Sequence, residues 1–298
     1  MILALRAPRT ISIRSVKDEY DDGIIAKLTR AADLLDSLKT MQQELRDGRE
    51  PPEYKRRDNA RGEETNPIVW AEWVLAKAPA PLPLAFSALL GDAIHNLRAA
   101  LDYCTWAAVD DKHRLSEPQR VAFPLYGQEA KFRNWAAEKK GWYGEPTMGV
   151  IERAQPFQAT ADQRHPLAVL QQLSNADKHR LLNVVHFAAI DLGPVGITPE
   201  PVVQRHAGTN GKVEEGDVLI RVEFPRPVRG HEVVLRPVFG WYESVPYERD
   251  GEVEYLRIDL MLTAVYELAV TTVTDMHIAR RIERGEVDPD DAAAAVGD

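Results

Sequence analysis

The run Gly91-Asp92-Ala93-Ile94-His95-Asn96-Leu97-Arg98-Ala99-Ala100-Leu101-Asp102-Tyr103 decides the fold of this chain, because apolar and polar residues both recur in it at helical spacing. At about 100° per residue, Leu90, Ile94, Leu97, Leu101, Cys104 and Ala108 fall on one narrow stripe, which predicts a core-facing helix from about Leu84 to Val109. A second stripe, roughly a quarter turn away, carries Gly91, His95, Arg98, Asp102 and Trp106. A third, opposite the leucines, carries Asp92, Asn96, Ala99 and Tyr103. Such a helix should be covered on more than one side, leaving its His-Arg-Asp ridge partly buried.

Outward from this helix, residues 17–46 read as a helix through Ile24, Leu28, Leu35 and the stripe Leu34, Leu38, Met41 and Leu45. The stretch 47–66 holds Pro51, Pro52 and the basic run Lys55-Arg56-Arg57, and reads as a solvated loop. Val69, Ala71, Trp73 and Leu75 then alternate with Trp70, Glu72 and Val74, predicting a strand that enters the turn Pro79-Ala80-Pro81-Leu82-Pro83. A short helix over 128–140 is anchored by Phe132 and Trp135, and Pro166 opens another that runs to about Ala188. From Gly193 to Gly251 the pattern changes to short alternating runs, clearest at Val218, Ile220, Val222 and Phe224, with a hairpin signal at Asn210-Gly211 and a further break at Asp250-Gly251. A last helix from about Val253 to Arg284 aligns Ile258, Met261, Val265, Leu268, Thr272 and Met276.

The expected fold class is α+β, mainly α. It comprises a helical bundle over 1–192 with the solvated loop 47–66, a small antiparallel β-sheet insertion over 193–251, and a C-terminal helix with a frayed tail over 252–298 that rejoins the bundle.

Composition narrows the function. The net charge of -9 restricts nucleic-acid binding to local basic patches. The single cysteine, Cys104, rules out an internal disulfide framework. The first residues lack the pattern of a secretory signal, and the most apolar run, Leu260 to Val270, is too short for a bilayer and contains Glu267. A cytoplasmic protein with no membrane partner is expected. Neither a phosphate-cradling glycine loop nor a serine or cysteine nucleophile motif is present, so no cofactor is expected.

A second polar cluster, Asn175-Ala176-Asp177-Lys178-His179-Arg180, lies in the helix that Pro166 opens. Asp177 falls on the apolar stripe of Leu170, Leu173, Leu181 and Val184, and an acid aimed at a core needs a cation. Arg98 is the first candidate, with Lys178 and Arg180 at the stripe edges as local alternatives. His179 points the opposite way in a continuous helix, alongside Asn175, Asn183 and His186. It can share a site with Asp177 only if the helix breaks near Ser174-Asn175.

The two blocks, Gly91-Asp92-x-x-His95-Asn96-Leu97-Arg98-x-x-Leu101-Asp102 and Asn175-x-Asp177-Lys178-His179-Arg180, resemble a group of uncharacterised bacterial proteins that carry both, over about the middle third of the chain. In many of that group an arginine is followed five residues later by a histidine, which is similar to the motif of HEPN ribonuclease domains. There, arginine and histidine from one helix meet across a dimer and cleave RNA without metal. Tyr103 stands at the histidine position here, so the imidazole would come from His95 or His179. On this reading Arg98, which could hold an oxyanion, His95 or His179 as proton-transfer groups, and Asp102 to orient the imidazole are the candidate catalytic residues, with Asn96, Tyr103, Asp177, Lys178 and Arg180 as candidates for binding RNA or a small anion.

Two further readings use the same residues. In one, the cluster is a buried structural network in a non-enzymatic binding module, or seals a homodimer. In the other, His95, Asp102, His179 and Asp177 hold a metal in a helical bundle. Against the metal stand the missing His-x-x-x-His and Glu-x-x-His patterns and the positive charge of Arg98 and Lys178, so no metal ligand is assigned.

Overall fold

In chain order the elements are α1 (Glu19–Gly48), β1 (Glu53–Asp58), β2 (Ile68–Lys77), α2 (Leu84–Ala108), α3 (Asp111–Ser116), α4 (Glu129–Glu138), α5 (Glu145–Arg153) and α6 (Pro166–Asp177). They continue with β3 (Val185–Asp191), β4 (Val202–Arg205), β5 (Val218–Pro225), β6 (Val238–Arg249), β7 (Glu252–Arg257) and α7 (Ile258–Glu283). The computed structural model describes residues 19–59, 66–160, 164–179, 181–182, 184–191, 202–205, 213–226 and 238–289. The fold is α+β and mainly α.

Helix α2 is the hub, packed against α1, α6 and α7. Leu90, Ile94, Leu97, Leu101 and Cys104 are fully buried, as their common stripe requires. Leu34 and Leu38 of α1, Leu167 and Leu170 of α6, and Val265 and Met276 of α7 complete this core. Each such aliphatic side chain contributes about 1.5–3 kcal/mol by leaving water. On the far face of α2, Lys27 of α1 donates to Asn96 Oδ1 at 3.2 Å and sits 5.9 Å from the Tyr103 ring centroid. The helix is therefore covered on more than one side.

Two antiparallel sheets flank the bundle, one in the order β1-β2-β5-β4 and the other β3-β6-β7. Strand β2 matches the alternation in its sequence. Val69, Ala71 and Trp73 lie opposite Phe224, Val222 and Ile220 of β5, and together these six form a second core cluster.

Several boundaries differ from the sequence reading. The charged stretch 47–66 contains β1, whose side chains are mostly exposed while its backbone pairs with β2. Charge content reports on side-chain solvation and leaves the backbone free to pair at a sheet edge. The sheet residues are also not confined to 193–251, since β1 and β2 precede α2 yet pair into the sheet that holds β4 and β5.

Helix α6 stops at Asp177, short of Ala188, because Val185-His186-Phe187 is a β-branched and aromatic run that pairs with β6. The residues 252–257, read as helix, instead form β7. Asp250 and Gly251 both adopt positive φ, 52° and 83°, and close a two-residue hairpin between Arg249 and Glu252. Asn210-Gly211, Asn183, Arg180 and the tail from 290 onward lie outside the described residues.

Candidate functional site

Helix geometry places His95, Arg98 and Asp102 along one ridge of α2, and the structure gives the two ends of that ridge different surroundings. At the C-terminal end Arg98 is 18% exposed and pairs with Asp102 one turn on, Nη2 lying 2.9 Å from Oδ1 and Nε donating to Oδ2 at 3.3 Å. Both side chains then reach the same residue. Arg98 Nη2 donates to the carbonyl of Phe123 at 2.7 Å, and the backbone N–H of Phe123 donates to Asp102 Oδ1 at 2.9 Å.

Phe123 has its ring in the core and belongs to an irregular stretch with no sheet partner, so its backbone groups depend on side chains. Gln155, fully buried, continues the grip one and three positions along. Its Nε2 donates to Pro124 O at 2.9 Å, and its Oε1 accepts from Tyr126 N at 3.0 Å.

The N-terminal end is different. Asp177 closes α6 with its carboxylate against the backbone of Gly91, where a Cβ would come within 2.3 Å of Oδ1. Burial first, and the negative charge of Asp92 second, hold the Asp177 carboxyl above the usual carboxylate range, while His95 pulls the other way. Arg98, expected to neutralise Asp177, turns instead to Asp102 and Phe123. It lies nearly two turns along α2 from Gly91, and its own i+4 neighbour offers a bidentate partner without any tertiary adjustment.

The clusters thus converge in part. Asp177 meets Asp92 and His95, whereas Arg98 and Asp102 form a separate closed unit. Because α6 ends at Asp177, Lys178 and His179 lie just beyond the helix and are exposed, as are His95 and Asp92. The break falls three residues later than Ser174-Asn175. Asn96 is buried against Lys27 and the carbonyl of Asp92. Tyr103 is half exposed, its ring next to Gly23. Among the described residues no group of three or more His, Cys, Asp or Glu side chains is arranged to hold a metal ion. None of the described helices is long and apolar enough to cross a membrane.

Two buried polar networks escaped the sequence reading. Arg280 of α7, 4% exposed, pairs with Asp21 of α1 at 3.1 Å, and His277 Nδ1 lies 3.5 Å from the same carboxylate. Glu243 of β6, 3% exposed, accepts from Gln42 at 3.2 Å and from Arg46 at 3.1 Å, with Arg49 at 3.8 Å. A signal for the second existed, since Gln42 and Arg46 share one face of α1 at a spacing of four, with Arg49 following just past the helix end. Cys104 is enclosed near the first network, where burial pushes its thiol up to about 12 and disfavours the thiolate.

No protein-family model matches the chain, and no curated protein or solved structure matches it either.

Proposed function

We propose that this protein is a non-enzymatic binding module, and that the Arg98–Asp102 ridge is a clasp for its fold instead of an active site. The double grip on Phe123 carries this reading: Arg98 takes the carbonyl and Asp102 takes the N–H of one buried residue. An arginine that stabilises a transferring phosphate must aim its N–H donors at the incoming oxygens. Here Nη2 and Nε already serve Phe123 and Asp102. Withdrawing Arg98 would strand a carbonyl and a carboxylate, at a cost of about 1–3 kcal/mol.

A second reading, metal-independent RNA cleavage of the HEPN kind, is favoured by one observation. His95, Lys178 and His179 are exposed near the Asp177 carboxyl, so two imidazoles for proton transfer and the Lys178 ammonium for RNA or a small anion lie on one accessible stretch.

Incubation of the protein with RNA in EDTA, with Arg98→Ala in parallel, separates the two. The binding reading expects no cleavage above a buffer control, and a melting temperature lowered by about 4–10 °C in R98A. Cleavage that R98A abolishes without loss of melting temperature would overturn it.

A further inference from the structure

Lys55-Arg56-Arg57 is the one run of three consecutive lysines or arginines in the sequence, and it takes no part in the α2 ridge. It forms the centre of β1, the edge strand of the four-stranded sheet, and among the described residues β2 is its one strand neighbour. Glu53, Lys55, Arg56, Arg57 and Asp58 are all exposed, while Tyr54 is half-buried. Tyr54 accepts from the Trp241 indole at 2.6 Å and stacks on Phe239 with ring centroids 4.1 Å apart. The strand is therefore held in place before anything binds to it.

The ladder with β2 shows which backbone groups of β1 face outward. Asn59 N donates to Trp70 O at 3.3 Å, one register step past the pair Asp58 with Ala71. Hydrogen-bonded pairs alternate along an antiparallel ladder, so Arg57 and Lys55 turn their N–H and C=O groups toward β2. Those of Tyr54 and Arg56 point away from it, in the direction from which one more strand would pair.

Charge decides which strand fits. The acids of β1 stand at its two ends, and its centre presents Lys55 and Arg57 on one face of the sheet and Arg56 on the other. Arg57 meets Glu72 at 3.7 Å and Arg56 meets Asp58 at 3.1 Å, with Arg57 53% and Arg56 42% exposed. Ion pairs this wet are weak, so an incoming carboxylate can share these cations.

A second copy of the chain is a poor occupant. Antiparallel pairing of two β1 strands about Arg56 sets Arg56 against Arg56 and Lys55 against Arg57, like charges directly opposite one another. Single-stranded nucleic acid needs exposed rings on which to stack its bases. Trp73 is only 7% exposed, and Arg221 sits over the Trp70 ring at 4.6 Å.

We infer that β1 is a docking edge for an extended acidic segment of another protein, which adds to the sheet as one more strand and sets carboxylates beside Lys55 and Arg57. The inference gives the binding reading a partner and rests on it.

Fluorescence titration of the full chain with short, acetylated and amidated peptides of alternating glutamate and valine tests it. This peptide should bind at least about ten-fold more tightly than its lysine-valine counterpart or than oligothymidylate. With its glutamates opposite Lys55 and Arg57, its valine N–H groups face β1. N-methylation of the valines should therefore weaken binding at least about ten-fold, and N-methylation of the glutamates by less than about three-fold. Arg56→Pro removes an N–H that the β2 ladder does not use and should also weaken binding at least about ten-fold, where Arg56→Gln costs less than about three-fold. Lys55→Gln with Arg57→Gln, both at exposed positions, should shrink the preference for the acidic peptide to within about three-fold.

No binding of the acidic peptide up to about 1 mM would overturn the inference, as would equally tight binding of the lysine-valine peptide or of oligothymidylate. So would unchanged affinity after valine N-methylation, since charge alone would then hold the peptide. Those results leave the RNA assay untouched, whereas RNA cleavage defeats the binding reading whatever the titrations give.

Discussion

The two ends of the α2 ridge use the same residue types to opposite effect. At Arg98–Asp102 a cation and an anion one turn apart satisfy each other and then hold a third element, the Phe123 backbone. At Asp92–His95–Asp177 two acids approach across a helix crossing, with burial and like charge both disfavouring ionisation of Asp177. The first arrangement stabilises because every group that leaves water gains a partner. The second is tolerated because Gly91 lets the backbones come close and much of the cluster stays wet. A polar motif in a sequence thus says little about function until its hydrogen-bond partners are known.

The contrast can be broken most decisively at its closed end. Arg98→Ala should lose about 1–3 kcal/mol in denaturant unfolding, because it leaves Phe123 O and Asp102 without their cation. Arg98→Lys should recover part of this, since one ammonium cannot copy the bidentate geometry. A loss below about 0.5 kcal/mol would mean that the grip is incidental.

At the open end Gly91→Ala should cost about 1–3 kcal/mol through the clash with the Asp177 carboxylate. Combining it with Asp177→Ala should remove that cost, leaving the gain of about 0.5–1 kcal/mol that alanine brings to a helix interior. A double mutant as unstable as G91A alone would show that the carboxylate is not what the added Cβ meets.

A smaller, pH-dependent effect belongs to Asp177. The folded state raises the Asp177 pKa, so its stabilising form is the protonated one. That contribution is complete below the unfolded carboxylate value and is lost as pH rises through the raised folded value. The melting temperature of the wild-type chain should therefore gain on that of Asp177→Asn as pH falls from 7 to about 4, where model carboxylates titrate. A constant difference across that window would sink the assignment. The smallest effect belongs to His95→Ala, exposed and outside the clasp, which should change stability by less than about 0.5 kcal/mol.

A matching test exists away from α2. His165 precedes α6, and its Nδ1 accepts from Leu167 N at 3.3 Å, while burial pushes its pKa down. Only the neutral imidazole can accept there. This contribution is present above the unfolded pKa and is lost as pH falls through the lowered value. His165→Asn, a good cap, should retain the stability of α6 better than His165→Ala in thermal melts at neutral pH.

Much of the fold was legible in particular residues. The stripe from Leu90 to Cys104 is buried because a 3.6-residue period leaves those side chains no other face to occupy. Val69, Ala71 and Trp73 lie on a strand face for the equivalent period-two reason. Asp177 was legible as an acid facing inward, and Arg98 with Asp102 as an i,i+4 pair. The end of α6 was not, because Val184 and the residues after it continue a plausible helical stripe and become a strand only through pairing with β6. Strand β1 was hidden by its charge. The network of Arg280 with Asp21 was hidden by distance, its partners lying 259 residues apart.

The chain by itself determined its helical core, the sheet-forming alternation of β2 and β5, and a polar ridge on α2, because all three depend on periods short enough to be read in one segment. Tertiary structure alone decided that Arg98 serves Phe123 instead of Asp177, that two acids share the Gly91 crossing, and that the charged run from Glu53 to Asp58 pairs with β2 at a sheet edge. Those outcomes depend on which distant segments compete for a given hydrogen bond or apolar surface, and that competition is resolved only when the whole chain packs.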